Sequence, residues 1–146
     1  MENDQTYNTY KIPRFKVDMA LYTVLDDIIN DENTCTYSNP YKTSFTITFK
    51  EYDEFIDMYF ANCNLNSINP NACAKIGYFV YSGRVFIIDI PKNKNWLFTA
   101  TNDTTILKKE KRTEQEAFYI NDTGSQWLYR YKNKTTKLVQ KSICKN

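Results

Sequence analysis

The segment EYDEFIDMYFANC, residues 51–63, repeats its apolar side chains at helical spacing: Tyr52, Phe55, Ile56, Tyr59, Phe60 and Cys63 fall at i, i+3, i+4, i+7, i+8 and i+11. Glu51, Asp53, Glu54 and Asp57 take the other side and load the first turns with negative charge, which favours a helix N-terminus. The spacing predicts a helix, ended by the Asn-rich run 62–71 with Pro70. Upstream, Val17, Leu21, Val24 and Ile28, with Ala20 and Leu25 beside them, predict another helix between Pro13 and the polar stretch 30–40. Between the two, Phe45, Ile47 and Phe49 alternate with Ser44, Thr46 and Thr48, the period of a half-buried strand.

Downstream of the segment the period changes from helical to strand-like. Residues 76–81 and 84–90 flank Ser82-Gly83 as a tight hairpin, 96–101 and 104–108 flank Asn102-Asp103 as a second, and 126–131 and 135–140 flank Lys132-Asn133-Lys134 as a third. Thr113 to Glu116 fits a capping box, so 114–120 reads as a short helix, with strand an alternative for 117–120. These elements predict an α+β fold, two amphipathic helices packed on a mainly antiparallel sheet of about six strands built from sequential hairpins. Length favours one globular domain over 1–146, with a polar N-terminal arm of about 12 residues. Twelve Tyr, nine Phe and two Trp predict an aromatic-heavy core.

Charge is divided along the chain: residues 1–60 carry eleven Asp/Glu against five Lys/Arg, and 61–146 carry six against fourteen. No acid follows Asp122, whereas Arg130, Lys132, Lys134, Lys137, Lys141 and Lys145 do, so the C-terminal part projects a positive field. An acidic front and a basic back suit head-to-tail or lattice-like self-association, as a homo-oligomer or lattice, which makes a non-enzymatic structural or assembly protein the leading expectation. The abundance of Lys, Asn, Ile, Tyr and Phe, all with AT-rich codons, fits an AT-rich genome such as many viruses, phages and low-GC bacteria have.

The chain has no histidine, which removes Ser-His and Cys-His nucleophiles and most transition-metal sites. The pairs Asp26-Asp27 and Asp31-Glu32 are adjacent in sequence, so their side chains diverge, and Asp89-Ile-Pro-Lys92 lacks the spacing of a carboxylate-and-lysine nuclease. No cofactor or metal is expected. The cysteines, Cys35, Cys63, Cys73 and Cys144, form no C-x2-C pair and read as free, mostly buried thiols, the alternative being oxidation after assembly or release. The Asn-x-Thr triplets at 102, 121 and 133 read as turns. A polar, acidic N-terminus and the lack of a long apolar run predict a soluble, intracellular protein with no membrane insertion.

Two basic stretches are candidates for contact. Lys108, Lys109, Lys111 and Arg112 form a short basic run; Trp127, Tyr129 and Tyr131 alternate with Leu128 and Arg130 ahead of Lys132, Lys134, Lys137 and Lys141. Exposed rings there would stack bases while the cations hold phosphates, the basis of an alternative role in nucleic-acid binding. Packed on a helix, the same rings would be core. An interaction or inhibitor protein acting on an acidic partner is a third reading.

Overall fold

The computed structural model describes residues 7–35, 44–63, 76–89, 97–101, 106–110 and 123–144. Residues 51–63 are not a helix. They hold the end of strand β3 (Ser44–Glu51), a turn, and strand β4 (Ile56–Cys63). Over eight residues the two periods overlap, and Ile56, Met58 and Phe60, all buried, alternate across the pleat with Asp57, Tyr59 and Ala61. β4 is paired antiparallel on both sides, with β3 and with β9 (Gln126–Lys132), so its backbone groups find partners that a helix would have had to supply internally. Asp53 and Glu54 belong to the connecting turn, closed by a hydrogen bond from Tyr52 N to Phe55 O of 2.9 Å. The fold is therefore mostly β, with a single α-helix among the described residues, and the expectation of two helices on a sheet is corrected.

That helix, α1 (Tyr22–Asn33), starts later than the apolar spacing implied. Val17 ends strand β2 (Phe15–Val17), and Asp18 caps the intervening 3-10 turn by accepting from Ala20 N. Three hairpins lie side by side in one six-stranded sheet: β5 (Ile76–Tyr81) with β6 (Arg84–Asp89), β3 with β4, and β9 with β10 (Thr135–Ser142), in the order β10-β9-β4-β3-β6-β5. The hairpins about Ser82-Gly83 and Asn133-Lys134 match the sequence reading. Neighbouring hairpins join antiparallel through β4 and β9 but parallel through β3 and β6. The expected hairpin around Asn102 does not form: β7 (Phe98–Ala100) pairs with β2, and β8 (Ile106–Glu110) pairs with β1 (Tyr7–Lys11), the N-terminal arm. The helix expected at 114–120 lies outside the described residues.

One face of the sheet carries the core. Phe79 stacks on Phe86 and Phe86 on Phe45, each pair at 4.9 Å, and the edge of the row is closed by Trp127. Against it α1 lays Val24, Leu25, Ile28 and Ile29, all buried. Hydrogen bonds hold the helix to both outer hairpins. Tyr81 donates to Asp26 (2.8 Å) and Arg84 to Asn33 (3.1 Å), while Trp127 donates to Asp31 (2.9 Å). Contrary to the reading as free thiols, Cys35 and Cys144 form a disulfide that ties the end of α1 to the segment after β10. Cys63 ends β4, and Cys73 lies outside the described residues. No helix among the described residues is long and apolar enough to cross a membrane.

Candidate interaction surface

Strand alternation sends Trp127, Tyr129 and Tyr131 to the core face, where they are 1%, 4% and 5% exposed. They pair across the ladder with Phe60, Met58 and Ile56. The three rings therefore leave the candidate surface, because stacking on a base needs an open ring. Burial, with Asp27 and Asp31 adding to it, pushes the Tyr129 hydroxyl up to about 12. Lys141 also turns to the helix side, where its ammonium lies 3.2 Å from Asp31. Lys108 and Lys109 stand in β8 opposite Thr9 and Asn8, and Lys111 and Arg112 are outside the described residues.

The remaining cations gather on the opposite face of the sheet. Register places Lys50, Asp57, Arg130 and Lys137 side by side across β3, β4, β9 and β10. Asp57, itself buried, receives two hydrogen bonds from the Arg130 guanidinium, at 2.8 and 3.2 Å, and that bonding holds the Arg130 pKa above its ordinary value. The guanidinium also sits 4.0 Å from the centre of the Phe55 ring, and Lys50 sits over Tyr52, whose hydrogen bond pushes the lysine pKa up. Both groups remain cations across any physiological pH. The next row is Thr48, Tyr59, Leu128 and Gln140; with Thr46 and Ala61 it lines a shallow depression of about 460 Å³. Beside the row, the β9–β10 turn carries exposed Lys132 and Lys134, and Leu138 and Val139 are exposed on the edge strand.

The sheet thus has a cationic outer face bearing exposed tyrosines, the residue type enriched where proteins meet. Across the core, α1 carries Asp26, Asp27, Asp31 and Glu32 and no Lys or Arg; Asp26 and Asp27 are exposed, while Glu32 is buried. Phe55, Asp57 and Tyr59 were missed as members of this face, because the helical reading of 51–63 scattered them around a cylinder, and Lys50, just before that segment, was not singled out. The period-2 run from Ile56 to Phe60 was the signal that could have found them. Compared with protein-family models, curated proteins and solved structures, the chain has no match.

Proposed function

We propose that the chain is a non-enzymatic assembly protein whose copies join head to tail, the cationic outer sheet face of one against the acidic helix side of the next. The observation that carries this reading is the opposite sign of the two sides: Lys50, Lys132 and Lys137 on one, Asp26 and Asp27 on the other. Two different patches in contact make a heterologous interface, which propagates into a ring or filament instead of closing as a pair. Part of the charge division is consumed inside the chain, in Asp31–Lys141 and Asp57–Arg130, so the contact rests on the cations and acids left over. The closed Cys35–Cys144 bond supports an oxidising setting for the assembled form, at variance with the intracellular setting expected from the N-terminus. Nucleic-acid binding loses the stacking contribution of Trp127, Tyr129 and Tyr131, whose rings are buried.

Sedimentation velocity at low salt tests the reading. Wild type should form oligomers that dissociate as salt rises to ~0.5 M, where the Debye length is only a few Å. Asp26→Asn with Asp27→Asn disables one patch, and Lys50→Gln with Lys137→Gln the other. Each double variant alone should be monomeric, yet a mixture should give dimers, since each retains the patch the other lacks. A wild type that stays monomeric at high concentration and low salt sinks the proposal, and binding of single-stranded DNA by that monomer would transfer the cationic face to a polyanion.

A further inference from the structure

The two sulfurs of the disulfide sit in unlike surroundings. Cys35 is 6% exposed, whereas Cys144 is exposed and holds a left-handed backbone, φ 58°, that costs a residue with a side chain. Beneath Cys35 lies a buried polar chain. The hydroxyl of Thr123 lies 3.0 and 2.9 Å from the two carboxylate oxygens of Glu32 and donates to that group. The Ser125 hydroxyl lies 2.8 Å from that of Thr123 and accepts from Cys144 N at 2.9 Å. Glu32 and Ser125 are both almost fully buried, a costly placement for a carboxylate that its hydrogen bonds offset. The Cys35 sulfur is 3.7 Å from Glu32 Oε1 and 3.7 Å from Ser125 Oγ. A disulfide sulfur has no hydrogen to give to either oxygen. A thiol at the same position does, so the bed fits Cys35 better reduced than oxidised.

We propose that the Cys35–Cys144 bond is a thiol-exchange site, at which a low-molecular-weight thiol attaches to Cys144 and Cys35 is released as a buried thiol held by Glu32. The incoming thiol, as thiolate, attacks the sulfur of Cys144, the exposed residue of the pair. A new sulfur–sulfur bond forms there, the bond to Cys35 breaks, and its electron pair leaves on the Cys35 sulfur. That sulfur takes up the proton the incoming thiol gave to water, so one disulfide replaces another with no net oxidation. Beside a carboxylate the anionic sulfur is disfavoured, which slows the opening step as well as reclosure, and Cys35, once protonated, stays a thiol that attacks the mixed disulfide slowly. The adduct persists, and the segment after β10 is uncoupled from α1.

The test incubates the native chain with millimolar reduced glutathione, quenches with an alkylating reagent, and maps Cys35 and Cys144 by mass spectrometry. Glutathione should be found on Cys144, with Cys35 alkylated only when the quench is made in denaturant. Glutathione on Cys35 overturns the proposal, as does a native bond left intact under conditions that open it in the unfolded chain. Glu32→Gln supplies a second readout: removing the negative charge should speed reclosure, followed as glutathione release, several-fold. An unchanged rate in a folded variant removes Glu32 from the mechanism, and if that variant does not fold, the mapping on the native chain still decides.

Discussion

Phe55 and Ile56 are neighbours in sequence with different fates. As members of a helix both would be core; in the hairpin Phe55 is half-buried in the turn, against Tyr52 and under Arg130, and Ile56 is 1% exposed inside the sheet. Ile56→Ala should therefore cost ~2–5 kcal/mol, and Phe55→Ala only ~1 kcal/mol, the ordinary cost of a point change. Equal losses in chemical denaturation would contradict the hairpin. Tyr129 allows a pH experiment. Unfolded, its hydroxyl ionises near pH ~10; folded, it is pushed up to about 12. The stability it contributes is complete below pH ~10 and is lost as pH rises through the folded value. Tyr129→Phe should flatten that alkaline fall between about pH 10 and about pH 12, read as the difference in urea midpoint between the two proteins. An undiminished slope would mean that other tyrosines carry it.

Turns and close approaches decide how well each element fits. The β9–β10 turn puts both Asn133 (φ 52°) and Lys134 (φ 62°) in the left-handed region, a pair that suits the twist of a hairpin. Asn tolerates this and Lys does not, so Lys134→Gly should stabilise the hairpin by ~0.5–1 kcal/mol after the entropy of glycine is counted, visible as a higher melting temperature. Gly77 in β5 is the opposite case: a Cβ there would run into the ring of Phe15 and come within 3.2 Å of the Pro13 carbonyl. Gly77→Ala should destabilise by ~1–3 kcal/mol, the range of overpacked sites. An unaffected melting temperature would show that the Phe15 ring is not seated on β5. Both turn-centred hairpins could be read from the chain, since Ser82-Gly83 and Lys132-Asn133-Lys134 are local signals. The partners of β7 and β8 could not, because they come from residues far earlier, in β2 and β1.

For the whole molecule, the disulfide encloses a loop of 109 residues in sequence separation, from the end of α1 to beyond β10. Closing so long a loop restricts the unfolded chain, and the chain-entropy model gives ~4–5 kcal/mol. Urea denaturation with and without a strong reductant should differ by about that amount; a much smaller difference would mean that the reduced state retains structure or that the bond strains the fold. Core packing of Val24, Leu25, Ile28 and Ile29 keeps α1, with its acids, on the side of the sheet away from Lys50, Arg130 and Lys137, the arrangement on which the assembly proposal rests. Composition and local pattern alone determined the aromatic core, the first helix in outline, β3, two tight hairpins and the division of charge, because each depends on neighbouring residues or on simple counts. Only the tertiary structure decided that residues 51–63 are strand and turn, that Trp127, Tyr129 and Tyr131 face inward, and that Cys35 meets Cys144. A short apolar run suits either period, an alternating strand has two faces without saying which is covered, and a cysteine carries no local mark of its partner; in each case the choice belongs to chain segments distant in sequence.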